Sequence, residues 1–315
     1  MIGLGLPLWP NAPAVQPDTL GLKMLCDFTT GFAVLNENIV HISDIFACTR
    51  TTEGRLEDGT VFAPNTLRLS TQGLLIEEAR NNVLLNSFAP TNQTVTLAAG
   101  TYTLSVGAGG SASLSGAASA SASAGSSDTF TLSGSGNVDL AVTGSPIWVQ
   151  LEDGAFSTSP IATGTTSVTR SYDRVQPHDL GWFTPDNMTF TIEWEQLQNG
   201  SLASNGVGNV ARWSGNAGYS RIRAGSATFA QIRNEAGTLG MNSGVGGGTV
   251  VGIHTMTLTS NASEFKIEWS ESLNGSAGSV TSQNGPGAAH VSSMNIGGNL
   301  GGEFINGFIR KISIT

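Results

Sequence analysis

The chain has 315 residues, with 14 Lys and Arg against 23 Asp and Glu, a formal net charge of −9, only 12% charged residues, 39% hydrophobic residues and 41 glycines. That length accommodates two or three domains with a real core. The composition excludes a helical bundle, which needs Glu, Lys, Ala and Leu in long periodic runs. The low charge excludes a disordered tail. The absence of a basic stripe argues against nucleic acid and against an anionic membrane as partners.

Residues 1–21 place Pro7, Pro10, Pro13 and Pro17 among Ile2, Leu4, Leu6, Leu8 and Trp9. Proline fixes φ and removes a donor, so an extended arm is expected here. Such an arm either lies over the chain's own domain or docks into a partner, and docking through those five apolar residues is the preferred reading. The run has no Lys or Arg before Lys23. With its prolines it reads as neither a signal peptide nor a spanning helix, so no membrane insertion and assembly in a cytoplasm are expected. Cys26 and Cys48 are too few for a disulfide framework; they read as reduced core residues, with a single bridge left open.

Residues 22–90 read as an irregular β region. Alternation shows at 38–42 (NIVHI) and 66–69 (TLRL), and Asp58-Gly59 signals a turn before Val61-Phe62. Within 73–87 (GLLIEEARNNVLLNS), Glu77, Glu78, Ala79 and Arg80 favour a helix, while Gly73 and Asn81-Asn82 favour a strand, a loop and a second strand. Residues 91–177 form a small β unit, opening on a hairpin at 93–106. Residues 111–127 are almost all Ser, Ala and Gly. They read either as a linker or as strands of small side chains; strands are taken, with a mobile segment near 119–127. Residues 178–315 read as a larger antiparallel sandwich, with strands at 188–195, 209–213, 220–223, 227–234, 249–260, 264–270, 294–296 and 308–314. Asn-Gly turns at 199–200, 274–275, 284–285 and 306–307 punctuate them.

Few residues form a chemical motif. His41, His178, His254 and His290 have no metal-ligand spacing, and no GxSxG or phosphate-loop pattern occurs. Glu193 and Glu195 flank Trp194 on a strand, so both carboxylates share one face, the arrangement a glycoside hydrolase needs. A solvated strand face over a core Trp194 is the competing reading, and the same applies to Glu77-Glu78. Asp173, Asp179 and Asp186 lack calcium-loop spacing, so no metal is expected. Asn209, Arg212, Trp213, Asn216, Tyr219 and Arg221 combine aromatic faces with planar polar groups, the chemistry of a glycan site. The competing reading puts Trp213 in the core.

The phrase at 73–87 together with 149–163 (VQLEDGAFSTSPIAT) and 167–175 (SVTRSYDRV) resembles a module of tailed-phage head-spike, head-fibre and tail-fibre proteins. There a segment like GLLIEEARTNLLLNS precedes a short β unit that closes on a phrase like AQLEAGSFATSYIPT, then an Arg, then often a lectin-like sandwich. The ending IGGNLGGEFINGFIRKISI is similar to the last strands of concanavalin A-like, laminin-G-like domains, and FTPDNMTFTIEWE to their first long strand. The resemblance implies an all-β chain: an extended arm (1–21), an irregular region (22–90), a small sandwich or jelly-roll module (91–177) and a concanavalin A-like sandwich (178–315). It also implies a structural protein on a virion surface, a homo-oligomer, most simply a trimer, that contacts capsid, portal, neck or tail proteins and host polysaccharide. No cofactor is implied. The alternatives are a virion-associated polysaccharide depolymerase using Glu193 and Glu195, and a stand-alone lectin.

Overall fold

The computed structural model describes residues 22–184, 187–197, 207–215, 218–225, 228–233, 239–245, 251–261, 264–271, 277–282, 291–298 and 303–315. Ile2, Leu4, Leu6, Leu8 and Trp9, the residues expected to dock into a partner, together with Asn216, Asp186 and His290, lie outside them. The described chain is almost entirely antiparallel β-sheet, and the one α-helix in it is the four-residue Ile42–Ile45. No described helix is long and apolar enough to cross a membrane.

A larger sandwich packs a ten-stranded sheet against a seven-stranded one. The spine of the first is Met188–Gln196, paired on one side with Gly252–Ser260 and on the other with Gly307–Ile314. Its burial alternates without a break, so Met188, Phe190, Ile192 and Trp194 point inward. The facing sheet runs Leu239–Val245, Thr228–Arg233, Gly218–Gly225, Val207–Gly215, Val291–Ile296, Arg174–Pro177, Phe46–Thr49. Phe190 of one sheet meets Trp213 of the other at a centroid distance of 6.2 Å, and Phe183 packs edge-on against both. Aromatic pairs in such tilted arrangements add to the burial of their area.

A smaller sandwich packs a four-stranded sheet against a five-stranded one. Its core joins Leu104, Val106, Val149 and Leu151 to Leu114, Val138 and Leu140. The Ser/Ala/Gly stretch lies inside this unit as strands Gly110–Gly116, Ala120–Ser123 and Ser126–Leu132, as taken from sequence. The expected mobile segment is different: Ala120 and Ala122 are buried opposite Leu114 and Ala112, and Gly125, at φ +72°, makes the turn to the next strand. Alanine suffices as the inward residue where two sheets approach closely, which makes the stretch look like a linker when read by composition.

The two units are not consecutive. Met24–Asp27 pairs with Gly307–Ile314, and Gly73–Ile76 pairs with the start of that same strand. Residues 22–76 therefore share a sheet and a core with the C-terminal part of the chain, in place of the separate region drawn at 22–90. The smaller sandwich is an insertion between two parts of the larger. The chain enters it from Gly73–Ile76 to Arg80–Asn82 and leaves it from Val168–Arg170 to Arg174–Pro177. The strand, loop and strand read at 73–87 is the entry crossover.

Candidate functional site

The phrases that carry the family resemblance meet at the two crossovers. Glu77, on the first, accepts from Arg68 Nη1 at 2.7 Å and lies 2.9 Å from Arg170 Nη1. Its other oxygen, Oε1, accepts from the Ser159 backbone N–H at 2.7 Å, while the Ser159 hydroxyl donates at 2.6 Å to Oε2, the oxygen that Arg68 holds. Asp173, on the second crossover, accepts from Arg50 Nη1 at 2.7 Å and from Arg68 Nη2. Arg50, Arg68 and Arg170 are 1%, 0% and 1% exposed. Buried guanidinium groups are tolerated when paired and hydrogen-bonded; here all three are paired through their Nη groups, while Nε of Arg68 and of Arg170 has no hydrogen-bond partner. The reading of Glu77 as a solvated strand residue is thus overturned: its neighbour Ile76 starts the crossover, and the side chain turns into the junction.

Burial alone pushes the Glu77 carboxyl up, but Arg170, Arg68 and the Ser159 donors outweigh it and hold it at about 2. Burial pulls Arg68 down, and Asp173 and Glu77 more than restore it, to above its ordinary value. For Arg170 burial prevails and the guanidinium sits below its ordinary value. Glu152, from the second phrase, is also fully buried, and burial pushes it up to about 7 against the Thr158 N–H and hydroxyl that donate to its two oxygens at 2.6 and 2.7 Å. Arg80 bridges the edge of the junction, 2.5 Å from Glu78 and with its guanidinium 4.3 Å above the Phe156 ring. Both oxygens of Glu77 and both of Asp173 are already engaged. The arrangement can hold two sandwiches at a fixed angle; it does not present a carboxylate to a substrate. A cleft of about 340 Å³ opens beside it, lined among others by Ser70, Gln72, Glu77, Asn306 and Phe308.

The carboxylate pair of the hydrolase alternative is also engaged. Arg310 donates from Nε to Glu193 at 3.0 Å and from Nη1 to Glu195 at 3.2 Å, on the outer face of the ten-stranded sheet, with Trp194 1% exposed behind them. His254 stacks on Trp194 at 5.2 Å. His41 caps the short helix and His178 meets the Ser43 carbonyl at 3.0 Å. Asp173 belongs to the junction and Asp179 accepts from the Leu180 and Gly181 N–H groups. No group of three His, Cys, Asp or Glu that could hold a metal occurs among the described residues.

The glycan candidates divide between the two faces of the seven-stranded sheet. Trp213 is 5% exposed and belongs to the core with Phe183 and Phe190. Arg212 and Arg221 are paired neighbours on the outer face, whereas Asn209, which a bulge sets in register with Arg223, is fully buried. Asn209 Nδ2 donates to Glu303 at 2.7 Å, and Arg221 Nη1 lies 3.3 Å from the same carboxylate. Tyr219 holds a register position opposite Ser214. The face also carries residues the sequence reading missed: Arg174, Arg223, Gln231, Asn295 and Glu303. Arg223 follows Arg221 by two residues on one strand; Arg174, Gln231 and Asn295 arrive by sheet order and Glu303 by its hydrogen bonds, and no local pattern signals those four.

Comparison of the chain with family models, with curated proteins and with solved structures returned no match.

Proposed function

We propose that the chain is a structural protein on the surface of a tailed-phage or phage-like particle: a head or tail fibre, spike or decoration subunit whose larger, concanavalin A-like sandwich faces host glycans. The observation that carries this reading is the junction. The phrases that resemble the phage module supply Glu77, Arg80, Ser159, Arg170 and Asp173, which meet at the junction between the two sandwiches, and Glu152, which holds Thr158 beside it. Two sandwiches tied together at a bonded junction suit a projection from a particle. The depolymerase alternative rests on Glu193 and Glu195, and Arg310 donates to both.

In this reading residues 1–21 anchor the protein to a capsid, portal, neck or tail protein, three copies associate about one axis, and assembly takes place in the host cytoplasm. The test is particle composition. Purified particles from cells expressing the chain should contain it by mass spectrometry and bind its antibody on their surface, and a chain lacking residues 1–21 should fold but be missing from them. Recovery of the full chain only in the particle-free fraction would overturn the reading.

A further inference from the structure

We propose that the open edge of the ten-stranded sheet, the strand Asn38–His41, pairs with the same strand of a second copy of the chain. The contact goes beyond the reading above: it is two-fold, whereas the association there is three-fold. Asn38–His41 pairs with Phe32–Leu35 on one side and with no described strand on the other. The turn between the two strands is Asn36-Glu37, with φ of +47° and +67°, the two-residue hairpin turn that matches strand twist. In such a hairpin the closing pair, Leu35 and Asn38, exchanges both backbone bonds, and the next pair, Val34 and Ile39, exchanges none. The Ile39 N–H and C=O therefore point to the open edge, and neither is bonded there among the described residues. His41, two residues on, points the same way, and its N–H is taken by the Asp44 carboxylate at 3.1 Å.

The side chains select a copy of the chain as the partner. Register lines up Leu25, Val34 and Ile39 across three strands on the outer face, while Ala33, Leu35 and Val40 turn to the core. Ile39 is 70% exposed, and Phe32 on the same face is 40% exposed, so the apolar row stops at the open edge uncovered. Edge strands are commonly protected by Lys, Pro or a bulge, and Asn38–His41 has none of these. A two-fold pairing centred on Ile39 sets Ile39 against Ile39 and joins the two rows into one. A shift by one residue would set Ile39 against Val40, an outward side chain against an inward one. The centred register also places Glu37, which is exposed, opposite His41 of the second copy. The Ser43 N–H donates to His41 Nδ1 at 3.2 Å, so the ring proton sits on Nε2, where it can donate to that carboxylate. A strand of an unrelated protein would satisfy the Ile39 backbone, but the match of Glu37 to His41 is one the chain makes with itself, as an isologous contact requires.

The experiment uses the full chain carrying Ile39→Cys, oxidised mildly and run on a denaturing gel. Opposed hydrogen-bonded residues of an antiparallel pair lie about 5.5 Å apart at Cα, within the span of a disulfide. A band of two chains is expected. Val61→Cys, at a position 51% exposed on another strand, should stay at one chain. Cys26 and Cys48 are buried and should not contribute. In the Ile39→Cys background Glu37→Lys should lower the yield severalfold, and adding His41→Asp, which keeps an oxygen to cap Ile42–Ile45, should restore it. Ile39→Lys in the otherwise unaltered chain should halve the mass seen by light scattering at unchanged melting temperature, whether or not three-fold association is present. A two-chain band no stronger than that of Val61→Cys, a loss that His41→Asp fails to restore, or an unchanged mass with Ile39→Lys would each overturn the proposal. So would a two-chain band seen only after residues 1–21 are deleted, which would assign the edge to that arm. None of these outcomes bears on whether the chain is found in particles, so the two readings fail separately.

Discussion

Glu77 and Asp173 clasp each other through their backbones as well as through arginine. The Asp173 N–H donates to the Glu77 carbonyl at 3.0 Å, and the Glu77 N–H donates to Asp173 Oδ2 at 3.0 Å. They are separated by the whole inserted sandwich, and Arg68 lies between their carboxylates. The entry and exit of the insertion are thereby bonded to each other, and the two sandwiches are expected to unfold together.

Breaking that unit should be costly. Glu77→Gln leaves Arg68 and Arg170 buried with half their counter-charge. Removing one partner of a buried pair destabilises by about 3–5 kcal/mol, because the remaining charge is uncompensated. Urea unfolding should show a loss of that size, and calorimetry should resolve two transitions where the wild-type protein shows one. A variant as stable as wild type would show that the junction is not what couples the sandwiches.

The junction also sets a pH dependence with two limbs. Glu77 is held at about 2 from an ordinary 4.5, so its contribution is complete above pH 4.5 and is lost as the pH falls toward 2. Glu152 is raised to about 7 from 4.5, so its contribution is complete below pH 4.5 and is lost as the pH rises through 7. Each limb is on the order of 3 kcal/mol. Melting temperature should therefore peak in mildly acidic buffer and decline on both sides. Glu152→Gln removes the titrating proton while keeping an acceptor for Thr158, and should flatten the decline toward neutrality alone. A decline that persists unchanged in this variant would assign it to another group.

Gly73 opens the first phrase for a steric reason. Its φ is +129°, and a Cβ there would overlap the Ile309 carbonyl oxygen on the neighbouring strand. Gly73→Ala should destabilise by more than about 1 kcal/mol, since strain and displaced strand pairing add. Gly31→Ala is the control: its φ is +76°, but nothing lies within 4 Å of the added carbon. It should cost only the backbone strain. Equal losses in the two variants would mean that the contact with Ile309 is unimportant.

The strands of the larger sandwich were legible where apolar and polar residues alternate over several residues, as in 188–195 and 264–270. The strands Leu239–Val245 and Ala277–Ser282 were not anticipated, because LGMNSGV and AGSVTS present mostly Gly, Ser and Asn and carry no period-two signal. The insertion was illegible for a different reason. Met24–Asp27 is four residues long, and its pairing with Gly307–Ile314 spans nearly the whole chain; no window of sequence contains both strands. The candidate site followed the same logic. Arg212 and Arg221 were found because they lie close together in sequence. Arg174 and Asn295 reach the same face only through sheet order, and Trp213 was placed with them although strand alternation turns it to the other side.

The cysteines give a last expectation, tied to the core itself. Cys26 is 0% exposed on the strand that pairs with Gly307–Ile314, and Cys48 is 6% exposed on the facing sheet. Both thiols are free. Burial pushes each up to about 12, and for Cys48 the carboxylate of Asp173 adds to that rise. The thiolate is the reactive form, so at neutral pH neither thiol should react at an appreciable rate while the protein is folded. Native protein mixed with an aromatic disulfide reagent should release almost no thiol anion over minutes, and adding denaturant should release two equivalents at once. Because the Cys48 sulfur lies 3.9 Å from Asp173 Oδ1, Glu77→Gln should speed the labelling of Cys48 before that of Cys26, by loosening the junction first. Simultaneous labelling of both thiols in that variant would show that the junction and the core open together.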